Sequence, residues 1–505
     1  MKKSDMALRS AGYAFLAEKY ALKALPNWHT SFVAQKGTPH KRALNGYVEE
    51  VYRSHYWPGE TDTDHLEFAL KYDGVNLGLL YLVFRNAQER ELAEYIRSKP
   101  SGKYARKVWF FYEFLTGRTL DVEDLSSGAY IPALEEGEYY TLSKGFKRAR
   151  YRVTDNLPGT AGFCPLIRKT AALLAFDATD SRARYESLVA GYPAHLLRRA
   201  SAYLFGKETK SSFEIERVTP DSLRVEKFVA ALELAAREDF CDKNKLIELQ
   251  NRIVDRRFMD SDYRASQNYV GQTVSFQHEI MHYICPKPED IHDLMAGLLR
   301  AHARMAEGGV PPVMHAAAIA YGFVFLHPFE DGNGRIHRFL IHNILSLRGL
   351  VPEGMIFPVS AVMLKYQTLY DSSLESFSRP LLPLIEYSLD DSGRMTVAGD
   401  TAHLYRFMDM TAQAEALCDF VNKTLEEELV NELGFLVKYD DAKRSMQEIL
   451  DMPDRLIDLF IQFCVQNNGR VSAAKRSAYF GALTDTEIAA LETAVNKSFG
   501  ALVGE

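Results

Sequence analysis

The sequence has no uncharged apolar run long enough to span a bilayer, so a helical membrane protein is excluded. Cysteine is sparse: Cys164, Cys241, Cys285, Cys418 and Cys464 are scattered and form no CxxC pair. Such an odd, dispersed set argues against a disulfide framework and reads as reduced thiols, so a cytoplasmic location is expected. Positive charge is not in excess either. The net charge of -7 excludes a globally basic nucleic-acid binder and leaves only a local patch for such a role. No Walker A run exists, since Gly102-Lys103 and Gly206-Lys207 lack both the spacing and the Ser/Thr. No internal repeat and no low-complexity linker is visible. The first 25 residues open with Lys2 and Lys3 and carry an apolar stretch, but Glu18 and Lys19 interrupt it and no clean cleavage site follows. An amphipathic helix is expected there, not a signal peptide.

What is present is the composition of a globular protein, with 47% hydrophobic and 25% charged residues over 505 positions. That length suggests two to four domains. Residues 1–200 mix helical periods with turn-rich or short-strand segments, and their role is open. Residues 201–390 read as mostly helical, with plain helical periods in EDIHDLMAGLLRAHARM, PPVMHAAAIAYGFVFL and GRIHRFLIHNILSLRG. Residues 391–505 carry a long amphipathic helix in TAQAEALCDFVNKTLEEELVNELGFLVKY, then three short helices. For this tail, plain helical packing is expected ahead of a winged-helix arrangement.

The densest chemistry lies in His327-Pro328-Phe329-Glu330-Asp331-Gly332-Asn333-Gly334-Arg335-Ile336-His337-Arg338. An apolar helix should end at His327, because the following proline biases that residue away from helical angles. The Glu330–Gly334 segment is rich in residues that tolerate positive φ, and a second helix should begin around Gly334. The backbone N–H groups at such a helix start form an anion site that flanking glycines leave open to phosphate. Asp331 is a carboxylate suited to Mg²⁺ beside that phosphate. Arg335 and Arg338, three apart, share a helix face and can clamp outer phosphates. His327 is the base near the loop that can take a proton at neutral pH. Phe329 should point inward as an anchor. Together these groups describe nucleotidyl or phosphoryl transfer to a hydroxyl.

These residues resemble the full Fic motif, HPFx(D/E)GNGRxxR, at every fixed position. The resemblance implies a mainly α fold: a helical Fic core with a small β-hairpin flap, between the mixed α/β N-terminal region and the helical C-terminal module. It implies transfer of AMP from ATP to a Tyr, Thr or Ser hydroxyl of a protein, with release of pyrophosphate. His327 would be the general base and Asp331 the Mg²⁺ ligand. The backbone of Gly332, Asn333 and Gly334 would cradle the α- and β-phosphates. Arg335 would support the phosphates and Arg338 would pair with the γ-phosphate. Related Doc proteins carry Lys where this chain has Gly334, so AMP transfer is favoured over phosphate transfer. The stretch from Tyr263 to Gly271 resembles the family's RxxQNxIG segment ahead of the flap, which docks a target chain by strand addition. Pro358-Val359-Ser360 and Tyr370 resemble, loosely, the segment near the adenine end.

Upstream, Ser212 and Glu216 fill the fixed places of a pattern similar to the Fic inhibitory motif, (S/T)xxxE(G/N). The resemblance puts this glutamate on a helix near 211–217, paired with Arg338 and blocking the γ-phosphate position. One carboxylate and one phosphate would compete for one guanidinium. Arg217 departs from the motif, which has a small residue or Asn there.

A competing pattern, His278-Glu279-Ile280-Met281-His282, matches HExxH, with His292 and His302 as nominal third zinc ligands. Val274, Phe276, His278 and Ile280 alternate as in a strand, and prolines follow soon after, so the hairpin is expected instead. Other activities considered are AMP removal at the same site, self-AMPylation, and a nucleotide-sensing or DNA-associated role with the tail as the DNA-contacting part.

Overall fold

A computed structural model describes residues 8–35, 38–44, 46–275, 278–390 and 392–500, with only the backbone at 273–275, 278 and 279. The sequence alternation that involves Phe276 therefore lies partly outside the described residues, as do residues 1–7 of the expected N-terminal helix. Within that segment the chain forms a strand, Leu8–Ala11, and then a short helix, Tyr13–Lys19.

The N-terminal unit is mixed α/β. The strand His29–Ala34 lies between Leu8–Ala11 and Tyr47–Arg53, and His40–Leu44 closes the far edge. The inner pair is parallel, with Phe32 opposite Val51, and both outer pairings are antiparallel. Helices Leu77–Asn86 and Lys103–Thr116 bury Leu80, Val83, Trp109, Phe111 and Tyr112 in a core that also takes up Leu157 and Leu166. The fold as a whole is mainly α, and no helix among the described residues is long and apolar enough to cross a membrane.

The largest core surrounds the helix Pro312–Leu326, whose residues are mostly apolar on every side and buried save Pro312 at its start and Val324 near its end. A helix without a polar face must be covered all round. Pro288–Gly308 and Asn333–Leu347 flank it in sequence and pack on it. This core does not end at residue 390, where the sequence suggested a boundary. It begins as early as Tyr140, takes in Leu173 and Tyr185, and runs on to Leu429. The reason is that the helix Thr411–Lys423 returns to place Leu417, Phe420 and Val421 against the central helices. A composition shift along the chain does not reveal such a return.

The expected long amphipathic helix is interrupted by a π turn, Thr424–Glu428, and continues as Leu429–Ile449. Three helices follow, Asp454–Gln466, Ala473–Tyr479 and Asp485–Phe499, around Ile457, Phe460, Leu491 and Val495. Among the described residues after Val397 there is no strand, so this module packs as helices alone and has no β wing.

Candidate functional site

Two helix ends and one loop build the site. Pro312–Leu326 stops at His327, which adopts a left-handed conformation with φ 51°. For a residue other than glycine this conformation is uncommon and held only by its surroundings. Arg264 supplies part of that hold. Its backbone N–H donates to the Pro328 carbonyl at 2.8 Å, and its Nε donates to the His327 carbonyl at 2.8 Å. The His327 Nδ1 lies 3.2 Å from the Val324 carbonyl, which can only accept, so the ring proton is assigned to Nδ1 and Nε2 keeps its lone pair. Burial pulls the His327 pKa down to about 4, and the imidazole is therefore neutral at pH 7.

The loop is rigidly tied. Phe329 is fully buried, as expected for an anchor. Asn333 clamps it from both sides, its Oδ1 accepting from the Phe329 N–H at 3.0 Å and its Nδ2 donating to the Phe329 carbonyl at 2.7 Å. Gly332 has φ 94° and caps the helix Asn333–Leu347, one residue earlier than the sequence suggested. Asp331 is half-exposed, and one of its carboxylate oxygens accepts from the Gly332 N–H at 2.6 Å and from Arg335 Nη2 at 2.7 Å.

Arg335 and Arg338 share a helix but not a partner. Arg335 turns to Asp331 and to the Ile253 carbonyl at 3.1 Å, over the ring of Phe213. Its buried Nε has no hydrogen-bond partner. Arg338 is 1% exposed and is held by the 194–215 helix and the residue after it: Nε donates to Ser212 Oγ at 3.0 Å, and Nη2 donates to the Ser212 carbonyl at 2.7 Å and to Glu216 Oε1 at 2.8 Å. Its Nη1 donates to the Tyr370 hydroxyl at 3.3 Å, a contact the sequence did not assign. Burial works against the charge on Arg338, but Glu216 and Tyr370 outweigh it and hold the guanidinium pKa above its ordinary value.

Glu216 reaches the start of the helix Asn333–Leu347 itself. A Cβ on Gly334 would lie 2.1 Å from Glu216 Oε1, so this approach requires glycine. The carboxylate thus stands over a helix N-terminus, where an anion is favoured. Its own helix, Ala194–Ile215, ends just before it, so Glu216 is the C-cap and not a helical residue. Arg217 follows with φ 55°, in the left-handed position that commonly ends helices at glycine or asparagine. This accounts for the motif's preference at that place, and Arg217 satisfies the geometry at a conformational cost.

Glu208, Ser212 and Glu216 are spaced four apart, and the first of them is a further anchor that sequence reasoning missed. The buried Glu208 carboxylate meets His342 Nε2 at 2.7 Å and accepts from the Ser360 N–H at 2.8 Å and from the Ser360 hydroxyl. On its outer side the helix meets the π turn and Leu429–Ile449, where Lys207 Nζ pairs with Glu428 at 2.6 Å and also with Glu432. The sequence signal was the i, i+4 spacing on one face.

The hairpin forms as expected, from Tyr269–Ser275 and His278–Ile284, with Val270 and Ile280 exposed. The HExxH residues therefore lie on a strand, which overturns the zinc-protease reading, since that chemistry needs a helix. Of the nominal third ligands, His292 faces Asp262 at 3.8 Å and His302 pairs with Asp239. The basic residues of 144–152 include Arg148 paired with Asp155 and Arg150 paired with Glu113, and in the tail Arg476 pairs with Asp485. These arginines are committed to internal ion pairs.

Comparison with known proteins places this geometry. Residues 240–345 match the model of the Fic/DOC family. A curated relative from Culex quinquefasciatus, protein adenylyltransferase Fic, is 32% identical over 124 residues, which is 24% of this chain and 22% of the relative. The protein adenylyltransferase Fic of Aedes aegypti is 29% identical over 121 residues, 24% of this chain and 22% of the relative. The chain thus spans less than a quarter of the length of the curated relatives it matches. A solved Fic family protein from Desulfovibrio desulfuricans is 18% identical with a TM-score of 0.37, covering 62% of this chain and 85% of that one. A Fic domain signalling protein from Bacteroides thetaiotaomicron is 17% identical with a TM-score of 0.35, covering 51% of this chain and 96% of that one. Residues 240–345, which hold the His327–Arg338 loop and its hairpin, are a Fic/DOC family domain within a longer chain.

Proposed function

We propose that this chain is a protein adenylyltransferase that moves AMP from ATP onto a hydroxyl side chain of a protein, and that Glu216 is its built-in brake. Glu216 supports this most directly: it occupies the start of the helix Asn333–Leu347 and the guanidinium of Arg338, the two features suited to triphosphate. The curated relatives' name, protein adenylyltransferase, agrees with it.

In the proposed reaction the target hydroxyl attacks the α-phosphorus. A new P–O bond forms, the bond to the β-phosphate breaks, and pyrophosphate leaves. His327 Nε2 takes the hydroxyl proton, with Nδ1–H fixed on the Val324 carbonyl so that the ring presents one lone pair. The N–H groups of Asn333 and Gly334 bind and orient the phosphates, with the Gly332 N–H joining them only if it leaves Asp331, and Arg338 pairs with the outermost one once Glu216 leaves. Arg335 holds Asp331 in place, and its unpartnered Nε is a donor that a bound anion would satisfy. Asp331 fits a divalent ion in that it is a half-exposed carboxylate beside the anion site. Mg²⁺ held there would neutralise phosphate charge.

The test is incubation of the full chain and of Glu216→Gly with ATP labelled at the α-phosphate or at the γ-phosphate. Protein-bound label is expected from the α-labelled nucleotide only, more strongly in the variant, and not in His327→Ala. Label carried over from the γ-position, or retained in His327→Ala, would overturn the assignment.

A further inference from the structure

Away from the proposed reaction centre, three side chains of different chemistry converge. An oxygen of Asp239, the sulfur of Cys241 and a ring nitrogen of His302 all lie within 4.8 Å of one another. Asp239 Oδ2 is 3.0 Å from His302 Nε2, and Asp239 Oδ1 accepts from the Cys241 N–H at 2.9 Å. His302 is buried, Cys241 is partly buried, and the Asp239 side chain is half-exposed. The cluster is therefore walled on the protein side and open to water on one side.

A second observation stands behind His302. His315 is fully buried, and its Nε2 lies 3.1 Å from His302 Nδ1. Histidines that ligate a metal almost always donate their other ring N–H to a fixed acceptor, which sets the tautomer. With its own proton on Nδ1, which has no other partner, His315 accepts at Nε2. Without an ion the His302 Nε2–H donates to Asp239 Oδ2; when an ion replaces that proton, the ring proton sits on Nδ1 toward His315 and the Nε2 lone pair is free for the ion.

The backbone is fixed as well. The Asp239–Cys241 loop is pinned by Asn343, whose Oδ1 accepts from the Phe240 N–H at 3.0 Å and whose Nδ2 donates to the Ala235 and Glu238 carbonyls at 2.8 and 2.6 Å. Phe240 packs edge-on against Phe339, with ring centroids 4.8 Å apart. The three groups are thus placed by a loop and the helix Pro288–Gly308, and are backed by the central helix Pro312–Leu326. His315 and His327 are twelve residues apart along that helix, about 18 Å at its rise per residue, so this cluster is separate from the reaction centre.

We propose that Asp239, Cys241 and His302 form a divalent-cation site of the zinc class, with water as fourth ligand and His315 as the residue that orients His302. One sulfur, one imidazole nitrogen and one carboxylate oxygen are the ligand types zinc accepts, and the mixed set disfavours calcium and magnesium, which want oxygen alone. On binding, the Cys241 S–H bond gives way to a metal–sulfur bond and the proton passes to solvent. The ion would tie the 239–241 loop, which Asn343 pins to the helix Asn333–Leu347, to Pro288–Gly308. This proposal does not rest on the adenylyltransferase reading.

The full chain, stripped with a chelator, is titrated with Co²⁺ and then with Zn²⁺. One equivalent of Co²⁺ should raise a thiolate-to-cobalt charge-transfer absorption, and Zn²⁺ should abolish it. The absorption should be lost in Cys241→Ser, and Asp239→Asn should weaken binding at least tenfold. His315→Gln should weaken it by about 10–100-fold, as is usual for an orienting partner. Asp239→Asn keeps the acceptor for the Cys241 N–H at a half-exposed position, so it reports on the metal even if a core variant fails to fold. No charge-transfer absorption at saturating Co²⁺ would overturn the proposal. So would an absorption unchanged in Cys241→Ser and Asp239→Asn, which would put the ion elsewhere, for example on the hairpin histidines.

Discussion

Removing the Glu216 carboxylate should tighten ATP binding by about tenfold. Arg338 is 1% exposed, whereas the Glu216 side chain is 36% exposed, so the pair is neither a free surface contact nor a fully buried one. A hydrogen bond to a charged group contributes about 1.5–3 kcal/mol net. Solvent at the glutamate end favours the lower limit, about 1.5 kcal/mol. ATP must displace this contact before its outer phosphate can reach Arg338, so its apparent affinity is lowered by the population that stays closed. At about 1.4 kcal/mol per decade, the closed state weakens binding by about tenfold. The measurement is calorimetric titration of ATP in a His327→Ala background, where no chemistry consumes the nucleotide, with Glu216 intact, as Gln and as Gly. Glutamine keeps the bulk over Gly334 but removes the charge. If the guanidinium is the contested group, Gly binds ATP about tenfold more tightly than the parent, and Gln, whose amide oxygen can still accept from Arg338 but without the charge, falls between them. If bulk over Gly334 is what excludes the nucleotide, only glycine binds more tightly. Affinities equal within twofold across all three proteins would refute the competition.

Further outcomes follow from neighbouring contacts. Arg217→Gly should stabilise the chain by about 0.5–1 kcal/mol, because a left-handed non-glycine residue costs about 1–2 kcal/mol and glycine returns part of that as chain entropy. A thermal midpoint that falls would contradict that account. Glu208→Ala leaves His342 and the Ser360 N–H without their shared acceptor. Breaking a buried pair of this kind costs about 3–5 kcal/mol. The 194–215 helix should then exchange amide hydrogen faster, and labelling from ATP should rise. Unchanged exchange there would show that Glu208 is not the anchor. Burial holds His65 and His327 at about 4 and His337 at about 3, below the ordinary 6.5. The unfolded chain therefore protonates first. Each histidine contributes stability that is whole above about pH 6.5 and is lost as pH falls toward the folded value, by up to about 1.4 kcal/mol per pH unit. The thermal midpoint should drop between pH 7 and pH 5, and a flat profile would contradict the burial argument.

Local features of the site were legible because their chemistry is local. The helix before His327, the inward Phe329, the positive φ at Gly332 and the hairpin all follow from residue types and spacings within a few positions. What was not legible joins distant positions. Glu208 meets His342 across 134 residues, Asn343 reaches back to Glu238 across 105, and Arg264 supports His327 across 63. Glu208 and Asn343 are unremarkable polar residues in their own stretches and Arg264 stands out only as part of the RxxQNxIG resemblance; the packing of the helices gives each its partner. The limits of the largest core escaped for the same reason, since the helix Thr411–Lys423 joins the core only after the chain has folded back.

Glu216 lies between these cases, and its position changes what the brake is. The family resemblance put Glu216 on a helix near 211–217 together with Ser212. Ser212 is on the helix, but Glu216 is the residue at which the helix stops, and Arg217 bends away with φ 55°. Ser212 therefore fixes Arg338 through both its hydroxyl and its carbonyl, while Glu216 holds it through a single side-chain contact from a frayable end. On the proposed reading, freeing Arg338 from Glu216 needs no movement of the 194–215 helix, only of the residue just beyond its end. Arg338 remains positioned by Ser212 and Tyr370 throughout, ready for whichever anion, carboxylate or phosphate, takes the remaining place.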